Sequence, residues 1–205
     1  GLTRGVPDEA YLKIAYRLSV GQRLNIDSPA TFNEKLQWLK LNDRRPQYVT
    51  MVDKYRVREY ISQIIGAEYL IPLLGVWAKA EEIDFDTLPE QFVLKCNHDS
   101  GSVIVCKDKS KADRTLIVSR LNKALATKGF WFGREWPYYG VKPVIIAEKY
   151  MEDHTTRELR DYKFFCFNGC VRCFKVDFDR FDKHGANYYD REKKLLPFGE
   201  ECCPP

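Results

Sequence analysis

A lysine stands inside an apolar run at Phe92-Val93-Leu94-Lys95-Cys96, and a second apolar run, Val103-Ile104-Val105, follows after the polar loop Asn97 to Ser102. A cation among apolar strand residues needs an anionic partner. A loop of Ser and Gly lets backbone N–H groups approach phosphate oxygens closely. Lys95, with His98, Ser100, Gly101 and Ser102 after it, therefore describes a strand lysine followed by a flap over a phosphate. The plainer reading is a solvated lysine beside a turn, with His98 an ordinary loop residue. Protein kinases also use a strand lysine, but their Gly-rich loop precedes it, and no His-Arg-Asp or Asp-Phe-Gly sequence follows here.

Two other groups of residues have metal-binding character. Cys170-x-x-Cys173 is half of a zinc site, but no second C-x-x-C or His pair completes it. Asn168-Gly169 reads as a two-residue hairpin turn, which puts Cys166 and Cys173 in alternating strands as packing residues. Cys96, Cys106, Cys202 and Cys203 bring the cysteines to seven, expected as free thiols in a reducing cytosol. Asp177, Asp179 and Asp182 form an acidic stretch that suits magnesium or simple solvation, and Asp177-Phe178-Asp179 is an Asp-x-Asp sequence.

The elements that would position these residues are mixed. Residues 1 to about 52 read as helical, with Thr31-Phe32-Asn33-Glu34 as a capping box and Phe32, Leu36 and Leu39 at helical spacing. Asp53 opens a helix with Val57, Tyr60, Ile61 and Ile64 on one side and Gly66 at its end. Strands are expected at Tyr69–Leu74, Phe92–Cys96, Val103–Cys106 and Val144–Ala147. A helix is expected from about Asp113 to Thr127, with Gly129 just beyond, and a hairpin over Asp161–Asp177. Trp131 and Trp136 read as packing residues.

The chain has 205 residues, a formal net charge of +4, 44% hydrophobic and 14% aromatic residues. That composition belongs to a folded globular chain and excludes a disordered one. No tract is basic enough for a nucleic-acid arm. No apolar stretch approaches the ~20 residues a bilayer span needs, and the N-terminus carries no signal-peptide pattern, so a cytoplasmic location is expected.

Asp53-Lys54-Tyr55 at a helix start, the strand lysine Lys95, the Gly/Ser loop and the hinge Glu148-Lys149-Tyr150-Met151 come in an order that resembles the ATP-grasp superfamily. Longer motifs narrow the resemblance. Thr31 to Trp38, Leu94-Lys95-Cys96-Asn97-His98, Arg134-Glu135-Trp136 and Asp161 to Gly169 are similar to the TupA-like ATP-grasp proteins, from about residue 10 to the last. Those proteins are associated with bacterial cell-surface polysaccharide biosynthesis, including capsule and teichuronopeptide-like polymers, and are often loosely labelled glycosyltransferases.

The resemblance implies an α+β, ATP-grasp-like fold: a helical region over 1–52, a first lobe over 53–143, and the hinge with a second, incomplete lobe over 144–205. It implies that Lys54 and Lys95 hold ATP phosphates and that residues His98 to Ser102, including Ser100 and Gly101, form the flap. Glu148 would accept from the adenine amino group, and the backbone of Lys149, Tyr150 and Met151 would pair with the ring edge. Glu152 or Asp153 would reach the ribose, and Lys163 would face the phosphates. In the family Mg²⁺ is bound late in the domain, so its ligands are expected beyond residue 205.

The activity so implied is an ATP-dependent carboxylate–amine ligation on a carboxylate-bearing sugar or amino acid. A non-catalytic nucleotide-binding module and a sugar-nucleotide glycosyltransferase are the alternatives. An incomplete second lobe would leave the 161–177 hairpin with an open edge, where a second copy could pair.

Overall fold

The computed structural model describes residues 4–127, 130–153, 159–178 and 184–199. Gly129, Asp179, Asp182, Cys202 and Cys203 lie outside the described residues, as does the side chain of Trp131. Contacts divide the chain after Tyr150 into two units.

The first unit opens with helices. α1 spans Asp8–Val20 and ends at Gly21, whose φ of 77° is the left-handed conformation that glycine adopts without a Cβ penalty. α2 spans Phe32–Asn42 behind the expected capping box: Thr31 Oγ1 accepts from Glu34 N at 3.3 Å, and Thr31 N donates to Glu34 Oε2 at 2.9 Å. α3, Gln47–Val52, and α4, Val57–Ile65, follow. Leu12, Tyr16, Leu24 and Ile26 make a small core of their own. The apolar side of α4 is not buried: Tyr60 and Ile64 are exposed.

A four-stranded antiparallel sheet follows, built from β1 (Leu73–Trp77), β2 (Phe92–Cys96), β3 (Ile104–Cys106) and β4 (Ile145–Lys149) in the order β1-β4-β2-β3. The expected strand at Tyr69–Leu74 starts later. Ala67–Tyr69 closes a single 3₁₀ turn, and pairing begins after Pro72, which has no N–H to give a ladder. β4 pairs between β1 and β2, so the strand assigned above to the start of the second lobe lies in the first sheet.

α5, Arg114–Leu125, is capped by Asp113, which accepts from Leu116 N at 2.9 Å. Its Ile117 and Leu121 bury one face of the sheet with Phe92, Leu94, Cys96, Ile104, Ile145 and Ala147. α6, Phe130–Gly133, and a 3₁₀ turn at Trp136–Gly140 tie this layer to the first helices. Trp136 Nε1 donates to Asp43 O at 3.1 Å, and Lys40 Nζ donates to Gly133 O at 2.9 Å. Arg134, 2% exposed, pairs with Asp8 at 3.2 Å and stacks on Tyr11. The Arg134-Glu135-Trp136 motif therefore packs the structure together.

The second unit is a three-stranded antiparallel sheet, β5 (Asp161–Phe167), β6 (Cys170–Phe178) and β7 (Gly185–Asp190), in that order. Asn168 and Gly169 have φ of 49° and 76°, the positive pair that a two-residue primed turn requires. β7 adds a strand to the expected hairpin, and among the described residues β5 pairs with β6 alone. The pairing slips between Phe165 and Cys166, which breaks the alternation expected there. Cys166 is exposed, so its reading as a packing residue is corrected, while Cys173 is half-buried and Cys170 exposed. No described helix is long and apolar enough to cross a membrane.

Candidate functional site

Side chains alternate along β2. Phe92, Leu94 and Cys96 point into the core, which leaves Val93 and Lys95 on the opposite face of the sheet. In the β2–β4 register Lys95 lies opposite Ile146 and Val93 opposite Glu148. Lys95 and Glu148 are therefore diagonal neighbours on one face, within reach of two long side chains. Lys95 Nζ donates to Glu148 Oε2. The other carboxylate oxygen, Oε1, accepts from Arg58 Nη1 of α4 at 3.1 Å. Arg58 Nη2 also donates to Ile71 O at 2.5 Å, just before β1. Glu148 is 6% exposed, so this pairing is what keeps a buried carboxylate affordable.

Lys54 is placed by a second buried network. Asp53 and Asn97 are 2% and 1% exposed. Asp53 Oδ1 accepts from Tyr55 N at 2.9 Å and Arg56 N at 3.1 Å, capping the turn that leads into α4. The same oxygen accepts from Asn97 Nδ2 at 2.9 Å. Asn97 also donates to Lys142 O at 3.0 Å and accepts from Val144 N at 2.8 Å. Lys54 N donates to Asn97 O at 3.1 Å, so the end of β2, the approach to β4 and the Lys54 turn share one anchor.

Lys54 Nζ donates to Asp99 O in the loop after β2. Burial lowers the Lys54 pKa, Asp99 opposes that shift, and the nearby charge of Lys95 lowers it further. Two cations are thus close enough to repel, with Arg58 on the same carboxylate as Lys95. A polyanion set among them would relieve that repulsion.

The loop itself has two parts. Ser100 and Gly101 are exposed at its tip, and a Cβ added to Gly101 would meet nothing within 4 Å. His98 and Ser102 are buried at its base. His98 Nε2 lies 2.9 Å from Thr127 O. Because a carbonyl only accepts, that nitrogen carries the hydrogen. Ser102 Oγ donates to Asp99 Oδ1 at 2.6 Å and accepts from Cys96 N at 2.7 Å. In this structure both side chains hold the loop to the body and leave its tip for a ligand.

At the hinge end, Lys149 N donates to Pro72 O at 2.9 Å. A cleft of about 600 Å³ opens there, lined by Leu74, Gln91, Lys107, Lys149 and Tyr150 among others. Lys107 Nζ stands 5.9 Å from the Tyr150 ring centroid.

Lys54, Lys95, the loop 98–102 and Glu148 to Tyr150 belong to the first unit, whereas Met151 and Lys163 belong to the second. Met151, Glu152 and Asp153 are exposed. Lys163 Nζ donates to Asp161 and Asp177. Asp177, 1% exposed, also pairs with Lys175 at 3.1 Å and His184 at 2.9 Å. Burial alone would raise the Asp177 pKa, but these three donors hold it well below the usual carboxylate range. Both of its oxygens are taken by donors, Oδ2 by Lys163 and Oδ1 by Lys175 and His184, the opposite of what a metal ligand in an Asp-x-Asp motif needs.

Among the described residues no three of His, Cys, Asp and Glu converge to hold a cation. Sequence reasoning missed Arg58 and Asn97. Arg58 has one signal, its position one helical turn after Lys54.

The chain matches the family model described as TupA-like ATPgrasp over residues 34–203, most of its length. No curated protein and no solved structure gives a significant match.

Proposed function

The chain belongs to the TupA-like ATP-grasp family, and we propose that it binds ATP on the open face of its first sheet to drive carboxylate–amine ligation in cell-surface polysaccharide biosynthesis. The mutual repulsion of Lys54 and Lys95 beside an exposed Ser-Gly loop tip supports this reading most. Lys54 and Lys95 take the phosphates as point charges, and N–H groups at Ser100 and Gly101 close over them. The base lies toward the hinge, with its amino group on Glu148 and its edge on the backbone of Lys149 to Met151.

In the ligation ATP's γ-phosphoryl group passes to a carboxylate oxygen, ADP leaves, and an amine displaces phosphate from the acyl carbon. The carboxylate belongs to a uronic acid or an amino acid, and the reaction runs in the cytoplasm. The outer edge of β5 offers a second copy a strand to pair with.

A coupled assay for ADP, run with uronic acids and amino acids as carboxylates and a panel of amines, tests the reaction. ADP release that needs both substrates supports ligation. ATP binding without any release identifies a nucleotide-binding module instead, and preferential binding of UDP-sugars over ATP identifies a glycosyltransferase.

A further inference from the structure

Glu148 holds a different partner on each carboxylate oxygen. Lys95 takes Oε2 from the neighbouring strand, and Arg58 takes Oε1 from α4 at 3.1 Å. The two partners are not equivalent. Lys95 projects from the sheet face that carries the phosphate-binding reading, and its ammonium can turn from a carboxylate to a phosphate oxygen. Arg58 cannot leave as easily. Its planar fork is held at a second point by Ile71 O at 2.5 Å, and its side chain is 15% exposed. When Lys95 moves to a phosphate, Oε2 becomes vacant while Oε1 remains held.

We propose that Arg58 is a specificity-determining residue. It keeps Glu148 aimed after Lys95 has turned away, so that the site selects a base with an exocyclic amino group over one with a carbonyl at the same place. This rests on the reading that the site binds a nucleoside triphosphate. An ionised carboxylate only accepts hydrogen bonds. A 6-amino group gives Oε2 the donor it lacks, whereas a 6-oxo group sets one acceptor against another. Without Arg58, a carboxylate that has also lost Lys95 keeps neither of the two partners that fix its oxygens, so it no longer meets the base at one point. A carboxylate free to turn aside no longer sets its acceptor against a 6-oxo group, so the two bases are told apart less well. Arg58 need not touch the nucleotide to act in this way.

The test compares ATP with ITP, which differs only in carrying an oxo group for the amino group and its ring proton. Binding to the full chain is measured by calorimetry. The parent protein is expected to prefer ATP roughly tenfold or more, the worth of a hydrogen bond to a charged acceptor. In Arg58→Gln and in Glu148→Gln the preference falls to within about threefold, because the first frees the carboxylate to turn aside and the second puts an amide there that can donate. Arg58→Lys keeps the charge, loses the fork, and gives an intermediate ratio. A merely structural role for Arg58 would weaken both nucleotides by the same factor and leave the ratio unchanged, and that result overturns the proposal. Should Arg58→Gln not fold, an unchanged ratio in both Arg58→Lys and Glu148→Gln overturns it equally. Equal affinity of the parent for the two nucleotides sinks this inference and leaves nucleotide binding intact. A parent that binds neither sinks both.

Discussion

Asn97 Nδ2 donates to Asp53 Oδ1 across 2.9 Å, joining the end of β2 to the turn that carries Lys54. Both side chains are almost fully buried, and the amide has a partner on each of its polar atoms. The spacing of Lys54 and Lys95 therefore depends on a side chain that reaches neither ligand nor solvent. Asn97→Leu removes these bonds and leaves Asp53, Lys142 O and Val144 N short of partners. The expected cost is about 2–4 kcal/mol, the range for stranding several buried polar groups. Urea unfolding checks it: the midpoint falls while the slope stays the same.

Lys54 makes ATP binding sensitive to pH. Its pKa is lowered from 10.5, first by burial and further by Lys95. It therefore loses its charge at a lower pH than an ordinary lysine does, and ATP affinity should decline on the alkaline side before pH 10.5. In Lys54→Arg, whose guanidinium stays charged throughout, that decline should disappear. Stability moves the other way. The unfolded chain binds the Lys54 proton more tightly than the folded chain does, so this residue's contribution to stability rises with pH between the folded and unfolded values. Calorimetric titrations across alkaline pH, paired with urea midpoints, check both signs.

Asp177 should govern the acid stability of the second unit. Lys163, Lys175 and His184 hold its pKa far below 3.8. A carboxylate with a depressed folded pKa contributes stability that is fully present above its unfolded value and lost as pH falls through the folded one. Asp177→Asn leaves Lys163, Lys175 and His184 facing a neutral amide, at an expected cost of about 3–5 kcal/mol, as when one partner of a buried pair is removed. Thermal unfolding at neutral pH and below pH 4 tests this: the parent loses stability in acid, and the variant starts lower and changes less.

The cysteines should fall into two classes of reactivity. Burial pushes the Cys96 thiol up to about 11, and Cys106 is buried and raised for the same reason. Cys166 and Cys170 are exposed on the second sheet. Maleimide labelling of the native protein at neutral pH should modify Cys166 and Cys170, with Cys96 and Cys106 reacting only in denaturant. Peptide mapping by mass spectrometry separates the four.

Local signals carried much of this structure. The Thr31–Glu34 capping box and the Asn168-Gly169 turn depend on residues a few positions apart, and each forms where the sequence predicts it. The strand lysine was legible because a charge interrupts an apolar run. Its pairing was not: Lys95 and Glu148 are 53 positions apart and Arg58 and Glu148 are 90 apart, and only the pairing of β2 with β4, with α4 nearby, brings the three together. The roles of Asn97, His98 and Ser102 were hidden for the same reason. A polar side chain in a loop looks alike in sequence whether it meets a ligand or ties the loop to Thr127 and Cys96. The cysteine alternation failed on a slip in pairing, which no local residue pattern announced.

The most direct measurement is ATP affinity of the parent chain and of Lys95→Ala, each compared with adenosine. The account predicts that the parent binds ATP, that Lys95→Ala weakens ATP at least about tenfold as a lost charge-assisted phosphate contact should, and that adenosine is affected far less. Lys95→Ala binding ATP as tightly as the parent would contradict the assignment of this sheet face as the phosphate site.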